Sequence, residues 1–211
     1  VVMIEQSEIF SADSIAIYKP TVNKENVLSI GDDVKKNQVI LKKGQEILSK
    51  DIGVLAATGQ ASIKVFTLPK VALISTGDEL VSDIKDLTIG KILDINSYTL
   101  SGLIESSGAS LVSSEHIVDE YDTLKQGVES AMKIADIVIV SGGSSMGEKD
   151  NTAEIFNELS QQNVFMHGLS IKPGKPTIVA LAGNTPLIGL PGQPVSAMIV
   201  YRVIVDWILK E

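Results

Sequence analysis

The residues from 141 to 150, Ser-Gly-Gly-Ser-Ser-Met-Gly-Glu-Lys-Asp, place small residues and two carboxylates directly after an apolar run at 137–140. Glycines let backbone N–H groups approach an anion closely, and the start of a following helix favours negative charge. Glu148 and Asp150 add oxygen ligands of the kind that divalent cations prefer. The pattern predicts a site for a phosphate-bearing ligand with a metal. The alternative is an ordinary tight turn beside two solvated acids.

A second candidate anion site lies in Ile171-Lys172-Pro173-Gly174-Lys175-Pro176. Two prolines restrict this loop, and two lysines three residues apart in a restricted loop can face one compact oxyanion. Arg202 is the only arginine in the chain, so lysines and backbone amides must hold an anion here. A solvated turn carrying two surface lysines is the alternative.

Composition excludes several function classes. The chain has no cysteine, which removes disulfides, thiolate catalysis and cysteine-based zinc sites. Its two histidines, His116 and His167, lack metal-ligand spacing. A net charge of -8 argues against a nucleic-acid surface. No apolar run reaches the roughly 20 residues that cross a bilayer, and no signal sequence opens the chain, so we expect no membrane partner and a cytoplasmic location.

The sequence pattern changes near residue 70, which predicts two domains, 1–69 and 70–211. The first is expected to be a smaller, β-rich or mixed module with strands at 1–4, 15–18 and 63–66. Ser49 is expected to cap a helix that stops at Gly59.

From Val71 onward, short apolar strands alternate with amphipathic helices. Strands are predicted at 71–75, 109–112 and 137–140, a hairpin at 177–190, and helices at 98–107, 121–135 and 195–209. Repeated βα units indicate an α/β fold, a doubly wound and mostly parallel sheet with helices on both faces. Ligands bind such sheets beyond the carboxyl ends of the strands, where the polar motifs lie.

Five motifs in order closely resemble the molybdopterin molybdenumtransferases, the family that includes the E domain of gephyrin. They are Ser-Thr-Gly-Asp-Glu-Leu at 75–80, Gly-Lys-Ile-Leu-Asp-Ile-Asn at 90–96, the stretch at 141–150, Ile-Lys-Pro-Gly-Lys-Pro at 171–176, and Gly-Leu-Pro-Gly-Gln-Pro-Val-Ser at 189–196. The residues at 1–6 and around Gly31 look like the upstream module of that family. The resemblance therefore covers essentially the whole chain.

The resemblance implies an enzyme of molybdenum cofactor biosynthesis. Such an enzyme binds adenylylated molybdopterin, inserts molybdate at the dithiolene and releases AMP with the help of Mg2+. Lys172, Lys175 and Ser196 are the residues expected to bind molybdate. The pterin nucleotide is expected along the Gly142-Gly143 turn, where backbone N–H groups reach its phosphates.

The resemblance also implies which residues form the site. The predicted catalytic residues are Glu79, Asp119, Asp150 and Lys172, and the predicted metal ligands are Asp78, Glu79 and Asp150. The residues predicted to bind the pterin nucleotide or molybdate are Thr76, Gly77, Asp78, Ser141, Gly142, Gly143, Ser144, Gly147, Pro173, Gly174, Lys175, Pro191, Gly192, Pro194 and Ser196.

Some family features are absent from this sequence. Gly168 stands where the family usually has a basic residue, which predicts one anion contact fewer. Family members extend further at both ends, so the chain is expected to be the core of a larger enzyme. The expected partners are a second copy in a homodimer and the molybdopterin adenylyltransferase. Alternatives are an adenylyltransferase or a pyrophosphatase with the same core, and a binding or scaffold module without catalysis.

Overall fold

The computed structural model describes residues 1–143 and 150–210. The chain divides into two compact units, Val1–Phe66 and Thr67–Glu211. Within the described residues, no helix is both long and apolar enough to cross a membrane.

The first unit has little regular structure. It contains a 3-10 turn at Ile4–Gln6, an antiparallel pair of strands and one helix: β1 Ser7–Ser11, β2 Ser14–Ile17 and α1 Ser49–Ala57. The predictions of strands at 1–4 and 63–66 were wrong, because those apolar residues lie largely exposed and no strand pairs with them. Ser49 is the first residue of α1 and not its cap. The Asp51 carboxylate instead accepts the Leu48 N–H at 2.9 Å.

The second unit is built on a six-stranded sheet in the order β6-β3-β7-β10-β9-β8. The first four of these run parallel, and β9 is antiparallel to both of its neighbours. Two short strands, β4 and β5, form a separate parallel pair. The strands are β3 Lys70–Thr76, β4 Leu80–Val81, β5 Ile92–Leu93, β6 Ser110–Ile117, β7 Ile137–Ser141, β8 Val164–His167, β9 Ile178–Ala182 and β10 Thr185–Leu190.

Helices cover both faces of this sheet, as the alternation of strands and helices predicted. They are α2 Asn96–Ser106, α3 Tyr121–Met132, α4 Asn151–Leu159, α5 Pro194–Val200 and α6 Asp206–Ile208. Pro194 opens α5, where its missing N–H costs nothing. A single π turn at Tyr201–Val205 links α5 to α6, so the predicted final helix is one run with an interruption.

Two apolar cores result from the period of two along the strands. Val71 and Leu73 pack with α2 and α5 on one face, whereas Ala72 and Ile74 pack with α3 and α4 on the other. All of these strand side chains are buried. The central strands are therefore fixed from both sides, and their carboxyl ends are held rigidly.

Three parallel strands end at the same level. Ser75 of β3 pairs with Ser141 of β7, and Ser141 pairs with Leu190 of β10. Because β8 is antiparallel to β9, the loop that joins them lies at this same edge of the sheet. We call this edge the ligand edge.

Candidate functional site

A cavity of about 820 Å³ opens at the ligand edge. Its walls come from the ends of the three parallel strands, from the β8–β9 loop and from the start of α2. The described residues that line it are Thr76, Gly77, Glu79, Leu80, Ile92, Leu93, Asp94, Ile95, Asn96, Asp119, Ser141, Gly142, Gly143, Ile171, Lys172, Pro173, Gly174, Lys175, Pro176, Pro191, Gly192, Gln193, Pro194 and Ser196. Six sequence-distant segments thus meet around one space large enough for a small organic ligand.

The Gly142-Gly143 turn follows β7 and is tightly packed against its neighbours. Both residues have positive φ, +105° and +64°, and a Cβ on Gly142 would overlap the Thr76 carbonyl oxygen. A Cβ on Gly143 would lie 2.6 Å from the Thr152 hydroxyl. Glycine is therefore required for the backbone to pass between its neighbours and face the cavity.

The segment after β3 contributes a hydroxyl and a carboxylate. The Thr76 hydroxyl is buried and has no hydrogen-bond partner within the described residues. The Glu79 carboxylate folds back over Gly77, where a Cβ would lie only 2.9 Å from Oε2. Asp78 is exposed and does not line the cavity. Its backbone carbonyl accepts a hydrogen bond from Lys91 Nζ.

Asp94 places a buried carboxylate beside the cavity. Its Oδ2 accepts the Ser75 hydroxyl at 2.6 Å, and its Oδ1 accepts the Ser97 N–H at 3.0 Å. Burial raises the pKa of Asp94, but the hydrogen bonds from Ser75 and Ser97, with the nearby His116, hold it below its usual value. Asp94 therefore remains an anion, and it can orient a donor of a bound ligand.

Asp119 and Asp150 approach each other at a second acidic position. Asn151 Nδ2 donates to Asp119 Oδ1 at 3.1 Å and to its backbone carbonyl at 3.0 Å. Asp150 caps α4 by accepting the Ala153 N–H at 3.0 Å. Burial raises the pKa of Asp150, and the charge of Asp119 adds to this. The Ala153 N–H and His167 oppose it, with His167 Nε2 lying 3.9 Å from Asp150 Oδ2.

The acidic residues provide a partial set of metal ligands. In residues 1–143 and 150–210, no group of three His, Asp or Glu side chains is arranged to hold a metal. Mg2+ in nucleotide sites typically takes one or two carboxylates and completes its shell with phosphates and water. Glu79 and Asp119 both line the cavity and could supply those carboxylates. The donor set thus fits Mg2+ held jointly with a phosphate.

The β8–β9 loop presents both lysines to solvent at the cavity wall. Lys172 and Lys175 are exposed, and no ion pair engages either lysine among the residues that the structure describes. The loop between them is anchored at Gly174, whose carbonyl accepts the Thr177 hydroxyl at 2.8 Å. A Cβ on Gly174 would lie 2.6 Å from Val200 Cγ2. Two ammonium groups without an ion-pair partner among the described residues therefore stand on a fixed backbone.

Ser196 lies in the first turn of α5 and is almost fully buried, with 4% of its surface exposed. Its hydroxyl donates to Gln193 Oε1 at 2.7 Å. The serine proton is therefore engaged within the loop. Ser196 lines the same cavity as the two lysines.

The charge distribution divides the cavity into two ends. Lys172 and Lys175 supply cations at one end, whereas Glu79, Asp94 and Asp119 supply carboxylates elsewhere on the wall. The glycine turn lies between these groups along the strand ends. Such an arrangement can hold an oxyanion near the lysines and a separate phosphate-bearing ligand near the turn.

Two family models match the chain. Residues 72–210 match the family model described as "Probable molybdopterin binding domain". The chain belongs to the molybdopterin-binding family. Residues 1–59 match the "MoeA N-terminal region (domain I and II)", so both parts of the resemblance seen in the motifs are confirmed.

Known proteins of this family are similar in sequence to the whole length of the chain. A molybdopterin molybdenumtransferase of Haemophilus influenzae is 34% identical over 100% of this chain and 52% of its own length. One from Staphylococcus aureus strain Mu50 is 37% identical over 100% of this chain and 50% of its own. The solved molybdopterin biosynthesis MoeA protein of Pyrococcus horikosii has a TM-score of 0.78 at 35% identity, covering 100% of this chain and 52% of that one. The chain spans about half the length of these relatives.

The structure brings most of the predicted site residues of this molybdopterin-binding protein into one cavity. Glu79, Asp119 and Lys172 line it, as do all the predicted binding residues except three. Asp78 does not line it, and Ser144 and Gly147 lie outside the described residues, as does Glu148. Asp150 does not line the cavity but adjoins Asp119. The roles assigned to these residues stay predictions.

Sequence reasoning missed three polar residues of the cavity. Asp94 and Asn96 belong to the quoted motif at 90–96, and Gln193 belongs to the motif at 189–196, but none was given a role. Their polar types within those motifs were the available signal. The apolar wall at Leu80, Ile92 and Leu93 was also missed, because the short strands β4 and β5 were not recognised.

Proposed function

We propose that this protein is a molybdenum cofactor biosynthesis enzyme, a molybdopterin molybdenumtransferase, that inserts molybdate into adenylylated molybdopterin and releases AMP. The observation that carries the proposal is the single cavity in which unpaired lysines, a glycine turn and carboxylates meet. Each group matches one requirement of that chemistry. The reaction is proposed for the cytoplasm.

Molybdate is proposed to bind at the lysine end. A tetrahedral dianion needs several donors in a small space, and Lys172 and Lys175 supply ammonium groups there. Ser196 adds a hydroxyl once its proton turns from Gln193 toward the anion. The absence of ion pairs to either lysine among the described carboxylates leaves both charges free to bind the oxyanion.

The pterin nucleotide is proposed to lie along the Gly142-Gly143 turn, with its phosphates near the backbone N–H groups. Glu79 and Asp119 are proposed to orient the water that attacks the phosphoanhydride and to accept its proton. Bound Mg2+ would neutralise charge on the phosphates. Glu79 and Asp119, which line the cavity, and Asp150, which adjoins Asp119, are the carboxylates proposed to hold it, whereas Asp78 is exposed and does not line the cavity.

The expected partners remain part of the proposal. A homodimer is proposed as the working assembly, and a molybdopterin adenylyltransferase is proposed as the source of the adenylylated substrate. The match of residues 1–59 to the MoeA N-terminal region favours the transferase over an adenylyltransferase or a pyrophosphatase with the same core.

The test is AMP release from adenylylated molybdopterin by the purified chain with Mg2+, with and without molybdate. We expect molybdate-dependent release that falls at least tenfold in Lys172→Ala and in Lys175→Ala, because each variant removes one charge from the anion site. Nucleotide binding should be spared in both. Lys133→Ala, an exposed lysine just past the end of α3, is the matched control.

Three results would count against the proposal or its details. Release without any molybdate dependence would favour a pyrophosphatase. Binding of the nucleotide without release would favour a binding module. Full molybdate-dependent activity in both lysine variants would show that the oxyanion binds elsewhere.

A further inference from the structure

Asn96 makes hydrogen bonds to two different segments that line the cavity. It is the first residue of α2 and is 7% exposed. Its Nδ2 donates to the Ser141 hydroxyl at 2.8 Å and to the Gly192 carbonyl at 2.8 Å. A carboxamide nitrogen carries two N–H donors, so both are used.

The two acceptors belong to different halves of the site. Ser141 ends β7 and leads directly into the Gly142-Gly143 turn, whereas Gly192 precedes Gln193 and Ser196 at the lysine end. The two segments also contact each other directly. The Gly142 N–H donates to the Leu190 carbonyl at 3.2 Å, and a Cβ on Gly192 would lie 3.5 Å from Gly142 Cα.

We propose that Asn96 is a positioning residue that couples the glycine turn to the oxyanion end of the cavity. A ligand that shifts one segment also displaces the other, because one buried amide is hydrogen-bonded to both. Binding at the two ends is therefore cooperative, and the coupling is the same in either direction. The identity of the two ligands, a nucleotide and molybdate, rests on the proposed function.

Asparagine is specific for this arrangement. An aspartate at position 96 has nearly the same shape and can still accept a hydrogen bond from the Ser141 hydroxyl. It cannot donate to the Gly192 carbonyl, and its charge would repel that oxygen. Asn96→Asp therefore releases one of the two segments selectively.

The experiment measures AMP binding by calorimetry with Mg2+, with and without saturating molybdate. In the unmodified chain we expect molybdate to change the affinity for AMP by about fivefold or more, the usual lower range of coupling between sites. In Asn96→Asp the ratio should fall to about one. Asn157→Asp, the same change on the exposed face of α4, should keep the ratio of the unmodified chain.

A second measurement requires no ligand. Hydrogen exchange in the segment around Gly192 should be faster in Asn96→Asp than in the Asn157→Asp control, while the sheet strands keep their protection. If Asn96→Asp fails to fold, Ser141→Ala takes its place in both measurements. This variant removes the other hydrogen bond of Asn96, the one to the Ser141 hydroxyl.

The outcomes separate this inference from the proposed function. Loss of coupling together with faster exchange supports Asn96 as the coupling residue. Retained coupling in Asn96→Asp, or AMP and molybdate binding that is independent in the unmodified chain, overturns it while the transferase proposal stands. If the unmodified chain binds neither probe, the proposed ligands are wrong, and unchanged exchange in the variant would overturn the role of Asn96 as well.

Discussion

Asp94 shows how a single carboxylate is kept ionised in a largely buried position. Desolvation alone would favour its protonated form, yet hydroxyl and amide donors from Ser75 and Ser97 outweigh that cost. The side chain thus holds a negative charge next to the cavity, and no arginine or lysine in the described part of the chain pairs with it. The hydrogen-bond donors around Asp94 therefore determine its ionisation state.

Ser75→Ala should destabilise the protein in a pH-dependent way. Because the pKa of Asp94 is lower in the folded chain than in the unfolded one, ionised Asp94 stabilises the fold at neutral pH. This stabilisation disappears as the pH falls through the folded-state pKa. Loss of the Ser75 hydrogen bond should reduce the free energy of unfolding by about 1.5–3 kcal/mol at neutral pH, and by less in acid.

Urea unfolding of Ser75→Ala from neutral to acid pH measures this effect. Ser101→Ala serves as the control, because its hydroxyl donates to a neutral group, the Ser97 carbonyl in α2. Equal destabilisation by Ser75→Ala at every pH would mean that Asp94 does not depend on this serine for its charge.

Gln193→Leu should strengthen oxyanion binding. The glutamine accepts the Ser196 proton in the free protein, so an anion must break that bond before the hydroxyl can donate to it. Removal of the acceptor should raise the affinity for molybdate by about fivefold, the equivalent of one neutral hydrogen bond. Calorimetric titration with molybdate measures it, with exposed Gln126→Leu on α3 as the control. Weaker binding would instead show that Gln193 itself contacts the anion.

The anion-binding residues within the motifs could be predicted from the sequence, but the hydrogen-bond partners of the site residues could not. The glycines, lysines and Ser196 were identified because their types and spacing suit an anion. Asp94 and Asn96 make hydrogen bonds to residues between 19 and 96 positions away. Contacts of that range depend on the packed sheet, and no local pattern encodes them.

At the scale of elements, the turn after β7 depends on glycine more strictly than the other turns. Gly142→Ala should lower the free energy of unfolding by about 3 kcal/mol or more, because positive φ and overlap with the Thr76 carbonyl act together. Gly183→Ala, in the β9–β10 turn, should cost only about 1 kcal/mol. Gly183 also has positive φ, but a Cβ there meets no atom within 4 Å. Similar losses in the two variants, measured by chemical denaturation, would contradict the crowding seen at Gly142.

The elements that the sequence predicted well are those buried on both sides or strongly amphipathic. The strands at β3 and β7 are continuous apolar runs, and α3 shows a clear apolar face. The predicted strand at 109–112 was too short, since β6 continues to Ile117 through polar residues paired only with β3. Strand β8 was missed because it is a short edge strand with alternate residues exposed.

The π turn in the final helical run could not be predicted either. Tyr201 and Val205 are both fully buried, and their spacing of four residues is compatible with an ordinary helix. Only the packing of the whole run against the sheet decides that one turn is wider. The sequence therefore indicated the length of this run but not its interruption.

At the scale of the whole molecule, the two units differ in how they can be stabilised. Every fully buried apolar side chain among the described residues belongs to the second unit, and the buried residue of the first is the charged Asp51. A polypeptide of residues 67–211 should therefore unfold cooperatively, whereas residues 1–66 alone should be largely unstructured. Circular dichroism and thermal unfolding of the two fragments test this. A cooperative transition in the smaller fragment would contradict it.

The placement of the lysine loop between β8 and β9 has a consequence for protein engineering. These two strands lie at the margin of the sheet, outside the parallel strands that carry the glycine turn. The loop and its flanking strands can therefore be treated as an exchangeable cassette. Grafting a β8–β9 hairpin from another member of the family should alter selectivity at the proposed oxyanion site, for example between molybdate and tungstate, while the glycine turn after β7 keeps its sequence.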